Sequence, residues 1–119
     1  MSVKVIAYDV GTTGLKTCLF SISAEESVRY LAGEMEHYEL HVLENGGVEQ
    51  EASDWWEAMS RSTKRLLAKT GVPPEEIRGI TFCSQFQTVV LVDKSGRPLR
   101  RAMSCMDARA DAQFKRYMD

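Results

Sequence analysis

The chain has 119 residues, of which 44% are hydrophobic and 27% charged, and its formal net charge is -2. These values are typical of one small soluble domain, and the nearly balanced charge predicts no basic surface for nucleic acid. No apolar run approaches the roughly 18 residues that cross a membrane. A strand pattern from Val3 onward leaves no room for a signal peptide. We therefore expect a cytoplasmic protein with no nucleic-acid or membrane partner.

The cysteines and histidines give little sign of a metal site. Cys18, Cys83 and Cys105 are an odd number without metal-ligand spacing, which predicts free thiols in a reducing compartment. His37 and His41 stand four positions apart, but their segment has the pattern of strand and loop rather than helix. A metal-binding pair of histidines is therefore not expected.

The first part of the chain predicts three strands. Apolar patterns indicate strands at residues 3–8, 15–22 and 29–38, and short polar turns between them predict an antiparallel meander. Residues 43–51 are predicted to be a loop, because Asn45-Gly46-Gly47 interrupts any regular pattern.

A helix is predicted next. It is expected to begin at Ser53 or Asp54, since Asp54 and Glu57 have the spacing of a capping box. Gly71 is expected to end it. Trp55 falls on the apolar face of this helix, so we expect it in the core rather than stacked on a ligand.

The rest of the chain alternates strand and helix patterns. Strands are predicted at residues 77–83 and 88–92, with a turn at residues 93–96. A second helix is predicted over residues 107–118.

The turn between the first two strands has the chemistry of a phosphate-binding loop. Asp9 ends the first strand and can hold hydrated Mg²⁺ through its carboxylate, while Lys16 adds a positive charge on the second strand. Between them lie two glycines and two threonines: Gly11, Thr12, Thr13 and Gly14. Their N–H and hydroxyl groups can donate hydrogen bonds to phosphates, and the glycines can adopt backbone angles that other residues avoid. The alternative is an ordinary hairpin turn beside a chance aspartate.

Three later segments accompany this turn. The first is Gly47-Val48-Glu49-Gln50-Glu51, which leads into Asp54-Trp55-Trp56-Glu57-Ala58. The second is Ile80-Thr81-Phe82-Cys83-Ser84-Gln85-Phe86-Gln87-Thr88, and the third is Asp107-Ala108-Arg109. With the turn, they cover nearly the whole chain in one order. In these motifs the chain resembles the FGGY carbohydrate kinases, which include xylulokinase and glycerol kinase, within the actin and sugar kinase superfamily.

The resemblance implies an α/β fold, namely a ribonuclease H-like (actin-like ATPase) domain whose mixed sheet opens with the antiparallel meander. It implies that residues 1–119 are the N-terminal portion of kinase domain I, with the C-terminal domain, the adenosine pocket and the catalytic base outside this chain. The implied activity is phosphoryl transfer from MgATP to a sugar or polyol hydroxyl, and the isolated chain is expected to be inactive. The resemblance also allows a homodimer.

The resemblance implies roles for particular residues. Asp9 becomes the carboxylate on the magnesium side. The ligands of the ATP phosphates become Gly11, Thr12, Thr13, Gly14 and Lys16. The implied substrate pocket contains Gln85, Phe86, Gln87 and Asp107.

The substrate segment departs from both familiar patterns. Xylulokinase-like sequences usually carry Met-His where this chain has Phe86-Gln87, and glycerol kinase-like sequences carry Arg-Glu there and a tryptophan in place of Cys105. The missing Arg-Glu pair argues most strongly against glycerol as substrate. Without the resemblance, Gln85 and Gln87 would be interpreted as solvated residues at a strand end.

Two interpretations of Asp107 stay open. As an isolated feature it is a helix N-cap followed by a solvated Arg109. The resemblance instead places Asp107 near the substrate and Arg109 in a supporting ion pair.

Two other functional classes share part of this pattern. One is a non-catalytic nucleotide-binding or truncated member of the superfamily, which only the downstream base would distinguish. The other is a ribonuclease H-like nuclease, which clusters several carboxylates around two metals. Here the first strand offers only Asp9 and the strand at 77–83 ends without a carboxylate, so the nuclease is disfavoured.

Overall fold

The computed structural model describes residues 2–25 and 27–118. They divide into two compact units, each with its own sheet. The first unit contains the residues up to Tyr38 together with Trp55–Gln85. The second contains Glu39–Asp54 and the residues from Phe86 onward.

The first unit is built on a four-stranded mixed sheet. Its strands are β1 (Ser2–Val10), β2 (Gly14–Ser23), β3 (Ser27–His37) and β6 (Ile77–Ser84), in the order β3-β2-β1-β6. β1 and β2 pair antiparallel, as do β2 and β3, whereas β1 and β6 pair parallel. The helix between β3 and β6 makes this parallel connection possible, since parallel neighbours need a long crossover. Four predicted strands are thus present, with ends that differ from the prediction by at most two residues.

The core of this unit lies between the sheet and helix α1 (Ala52–Thr70). Alternate residues of β1 and β2 face the helix, as the two-residue period of a strand requires. The buried cluster consists of Ile6, Tyr8, Leu15, Leu19, Ala58 and Leu66. Thr17 and Ser62 are also fully buried, and their hydroxyls are 2.6 Å apart. These small residues therefore let β2 and α1 approach closely, and their hydroxyls are hydrogen-bonded to each other.

The ends of α1 differ in how well they match the predicted boundaries. The helix begins at Ala52, and the N–H of Asp54 already donates to the carbonyl of Glu51 at 3.1 Å, so the predicted start and capping box are wrong. Gly71 has a φ of +68° and its N–H donates to the carbonyl of Leu67, which confirms the predicted stop. Trp55 is only partly buried. In the described part of the chain, no helix is long and apolar enough to cross a membrane.

The second unit contains a small antiparallel sheet that the sequence did not indicate. Its strands are β4 (His41–Val42), β5 (Val48–Gln50) and β7 (Ala102–Met103), with β5 in the centre. All three residues of β5 are buried. The prediction of a loop over residues 43–51 was therefore wrong at β5, because two of its three residues are polar and no apolar alternation marks it.

Two further predictions in this unit were wrong. Residues 88–92 form no strand, and isolated bridges join Val89 to Met103 and Val92 to Pro98 instead. The last helix, α2 (Asp111–Met118), begins four residues later than predicted. Residues 107 and 108 have no regular structure and residues 109 and 110 form a turn. The side chain of Asp107 accepts hydrogen bonds there from the N–H groups of Val48 and Arg109 instead of capping a helix.

Candidate phosphate and substrate sites

Asp9 and Lys16 face each other across the first hairpin. They are partners in the register of β1 and β2, one pair before the turn. Since directly paired residues point to the same face of a sheet, their side chains share a face. The flanking Tyr8 and Leu15 point into the core, so Asp9 and Lys16 lie on the face opposite α1. The structure thus brings together the carboxylate and the cation that the sequence singled out.

The glycines of the turn serve close packing rather than unusual backbone angles. The N–H of Gly11 donates to the carbonyl of Gly14 at 3.0 Å, which closes the turn. Neither glycine has a positive φ, so that expectation was wrong. A Cβ on Gly14 would lie 2.7 Å from the carbonyl oxygen of Glu36, on β3. Gly14 is therefore required by the neighbouring strand.

Side chains from outside the motif hold the carbonyl groups of the turn. The Tyr38 hydroxyl donates a hydrogen bond to the carbonyl oxygen of Gly11, and Gln85 Nε2 lies 3.4 Å from the same oxygen. His37 Nδ1 lies 3.4 Å from the carbonyl oxygen of Thr13. Donors at the end of β3, directly after β3 and directly after β6 thus engage carbonyl oxygens that would otherwise repel an anion at the turn.

The environment of Tyr38 keeps its hydroxyl protonated. Burial, and secondarily the negative charge of Asp9, raise the pKa of Tyr38 to about 12. Tyr38 therefore remains a hydrogen-bond donor at neutral pH. Sequence reasoning missed Tyr38 and His37, although the pairing of Gly14 with His37 places the end of β3 beside the turn. A correct prediction of the register between β2 and β3 would have placed both residues beside the turn.

Cys83 is the partner of Asp9 on β6. A hydrogen bond to the Asp9 carboxylate, and secondarily partial desolvation, raise the pKa of the exposed Cys83 thiol. The thiol thus stays protonated and donates to Asp9. Within residues 2–25 and 27–118, no three His, Cys, Asp or Glu side chains are grouped to hold a metal. A single carboxylate fits Mg²⁺, which keeps several waters and takes further oxygens from phosphates, better than a metal that needs a cage of protein ligands.

Gln85 contacts the turn between β1 and β2. Its backbone N–H donates to the carbonyl of Val10 at 2.8 Å, and its side chain reaches Gly11. It belongs to the first unit, whereas Phe86, Gln87 and Asp107 belong to the second. The structure thus connects one of the four predicted substrate residues directly with the turn that was predicted to bind phosphate.

Residues 86–88 have three unusual features. Phe86 is a 69% exposed aromatic residue. Gln87 has a φ of 54°, in the left-handed region that residues other than glycine rarely occupy. The Thr88 Oγ1 atom is buried and makes no hydrogen bond within the described residues. Sequence reasoning missed Thr88. Strained backbone conformations cluster at functional sites, and a buried hydroxyl without a partner is rare in folded proteins.

The side chain of Asp107 is 10% exposed and its carboxylate is occupied by protein donors. It accepts hydrogen bonds from the N–H of Val48 at 2.9 Å and from the N–H of Arg109 at 3.1 Å. The Arg109 guanidinium adds a contact of 2.6 Å and holds the pKa of Asp107 well below its usual range. Asp107 is therefore not an N-cap, because α2 begins at Asp111, and the expected ion pair with Arg109 is present.

Glu49 extends this ion pair into a network. Its side chain is 8% exposed, and it accepts hydrogen bonds from Arg109 Nη2 at 2.8 Å and from Arg100. Arg109 is the main reason why the pKa of Glu49 lies below its usual value. An open cavity of about 330 Å³ lies beside the network and is lined by Arg100, Met103, Asp107, Arg109, Ala110 and Gln113.

Comparison with known proteins places these features in a family. Residues 4–118 match the FGGY family of carbohydrate kinases, N-terminal domain. The chain is 31% identical over 116 residues to a glycerol kinase of Roseobacter denitrificans, covering 97% of this chain and 23% of that protein. It is 29% identical over 115 residues to a xylulose kinase of Staphylococcus epidermidis, covering 97% and 22%.

A solved structure has the same fold. The gluconate kinase from Lactobacillus acidophilus superimposes with a TM-score of 0.86 at 20% identity, over 99% of this chain and 23% of that one. At that identity the likeness establishes the fold alone. The chain spans less than a quarter of the length of these relatives.

Proposed function

The chain belongs to the FGGY family of carbohydrate kinases, and from this premise we propose that it is the N-terminal portion of an ATP-dependent sugar or polyol kinase. In this proposal residues 1–119 supply the phosphate loop and part of the substrate pocket of the first kinase domain. Other parts of the protein supply the catalytic base and the adenosine pocket. The relatives, which are more than four times as long, support this division.

The observation that carries the proposal is the pairing of Asp9 with Lys16 beside the turn. Asp9 binds Mg²⁺ through one carboxylate, and Lys16 offsets the negative charge of the phosphates. Hydrogen bonds to the phosphates come from the N–H groups and hydroxyls of Gly11, Thr12, Thr13 and Gly14. MgATP, when bound, supplies the phosphoryl group, and the role of this chain is to bind and orient it.

The proposed acceptor is a sugar or polyol bound by residues 85–88. A polyol site needs several hydrogen-bonding groups and an apolar wall, which Gln85, Gln87 and Phe86 can provide. The buried Thr88 hydroxyl supports this assignment because it has an unused hydrogen-bonding capacity among the described residues. The proposed role of Asp107 in the substrate pocket is to hold Arg109 and the start of β5, since its two oxygens accept hydrogen bonds from Arg109 and from the N–H of Val48.

We place the proposed kinase in the cytoplasm. Cys18, Cys83 and Cys105 are free thiols, which suits a reducing compartment.

The test is a substrate panel on the full-length protein that carries this chain. With MgATP we expect ADP formation that depends on a sugar or polyol, and we expect glycerol to be a poor substrate because the Arg-Glu pair is absent. The panel includes glycerol, D-xylulose and D-gluconate, the compounds in the names of the relatives. Residues 1–119 alone should not turn over. If no sugar or polyol stimulates ADP formation by the full-length protein, the proposal is wrong.

A further inference from the structure

Tyr38 contacts the phosphate turn from a distant part of the sequence. It directly follows β3, and His37 before it is the register partner of Gly14 at the start of β2. This pairing places Tyr38 beside the turn, where its hydroxyl donates to the carbonyl of Gly11. The contact lies wholly within the first unit.

The contact matters because of what a turn must do to bind phosphate. A glycine-containing turn has many accessible conformations, and fixing one costs conformational entropy. A carbonyl oxygen that pointed at the phosphate would also repel it. The hydrogen bond from Tyr38, with the weaker contact from Gln85, engages the Gly11 oxygen before any ligand binds. Preorganisation of this kind increases affinity by lowering the cost of ordering the site.

We propose that Tyr38 is a positioning residue for nucleotide binding, which holds the Gly11 carbonyl so that the turn presents donors to the phosphates. The inference rests on the proposed function, since it concerns the same site. It assigns a role to a residue that lies outside the phosphate motif and does not itself bind the nucleotide.

Tyr8 offers a matched control. It lies on β1, is 5% exposed, and its hydroxyl is 2.7 Å from Thr63 Oγ1 on the α1 side of the sheet. Tyr8→Phe therefore also removes one tyrosine hydroxyl beside the same sheet. That hydroxyl lies on the face opposite Asp9. A purely structural role of Tyr38 predicts that Tyr38→Phe and Tyr8→Phe behave alike.

The experiment measures binding of Mg·ADP to the full-length protein by calorimetry, with hydrogen exchange of residues 11–14 and the unfolding temperature. For Tyr38→Phe we expect Mg·ADP to bind about threefold to tenfold more weakly, which corresponds to the loss of one hydrogen bond. We also expect faster hydrogen exchange of the backbone amides in the turn. The KM for ATP should rise by a similar factor with little change in kcat. Tyr8→Phe should lower the unfolding temperature but leave affinity and exchange in the turn unchanged.

A second variant protects the test against a folding defect. Gln85→Met removes the other donor to the Gly11 carbonyl and should weaken Mg·ADP binding by a smaller factor than Tyr38→Phe. If the wild-type protein does not bind Mg·ADP, both the proposed function and this inference fail. If the wild-type protein binds and both variants bind equally well, with unchanged exchange in the turn, only the inference fails.

Discussion

The N–H of Val48 donates a hydrogen bond of 2.9 Å to the carboxylate of Asp107, 59 positions later in the chain. Val48 opens the buried strand β5, and Asp107 lies in the turn before α2. One carboxylate therefore accepts from the first N–H of this strand although it lies far away in the sequence. The same carboxylate binds Arg109, which in turn binds Glu49 on β5.

Removal of this carboxylate should destabilise the second unit. We expect Asp107→Ala to lower the free energy of unfolding by about 1–3 kcal/mol, because the buried N–H of Val48 loses its acceptor. Chemical denaturation measures this value, and hydrogen exchange at Val48 localises it. Glu44→Ala, an exposed carboxylate in the loop before β5, is the control and should have little effect. Unchanged protection of the Val48 amide in Asp107→Ala would contradict the assignment.

The Asp107 carboxylate makes the free energy of unfolding depend on pH in acidic solution. The pKa of Asp107 is lowered by folding, so its contribution is fully present above the ordinary aspartate pKa, about 4, and is lost as the pH falls further. The free energy of unfolding of the wild type should therefore decline more steeply below about pH 4 than that of Asp107→Asn. Urea titrations between pH 7 and pH 2 measure both slopes. Equal slopes would mean that Arg109 does not stabilise the ionised form of Asp107.

The raised pKa of Tyr38 predicts that the protein loses stability in alkali. Folding raises its pKa to about 12, so its contribution is fully present below the ordinary tyrosine pKa, about 10, and is lost as the pH rises through 12. Stability should fall more steeply between pH 10 and pH 12 in the wild type than in Tyr38→Phe. Denaturation at several pH values measures the difference. Parallel curves would show that the hydroxyl is not buried beside Asp9.

Asp9→Asn should strongly reduce the magnesium-dependent kinase activity that we propose. The substitution preserves the shape of the side chain but removes the charge that we propose binds Mg²⁺, so we expect kcat/KM in the full-length protein to fall about a hundredfold or more. Asp111→Asn, at the exposed start of α2, is the control for a lost negative charge. Unchanged magnesium-dependent activity in Asp9→Asn would exclude the proposed role.

The buried hydroxyl pair of Thr17 and Ser62 should behave as one unit. Ser62→Ala leaves the fully buried Thr17 hydroxyl without its partner, and we expect a loss of about 1–3 kcal/mol in the free energy of unfolding. Thr17→Val with Ser62→Ala should cost less than the sum of the single changes, because neither hydroxyl is then left unpaired. A double-mutant cycle measures the coupling, and strict additivity would argue against a direct bond.

The sequence by itself determined the strands of the first unit and the turn at residues 11–14. The short run at residues 3–8, apolar on both faces, and the alternating pattern of residues 15–22 indicated β1 and β2, and the glycines between them indicated where the chain reverses. Those features are local, so the positions of Asp9 and Lys16 on either side of the turn follow from the sequence alone. Gly71 likewise marked the end of α1, because a left-handed residue after a helix favours glycine. The family resemblance rested on the same local motifs.

Only the tertiary structure decided what surrounds these motifs. β5 is a strand because β4 and β7 pair with it on either side. Asp107, Arg109 and Arg100 satisfy the Val48 N–H and the Glu49 carboxylate from more than 50 positions away. Tyr38 reaches Gly11 because the register of β2 and β3 places it there. Periodicity and turn chemistry report interactions between neighbours in the chain. A hydrogen bond between distant residues leaves no such pattern, since it depends on which strands the folded core brings side by side.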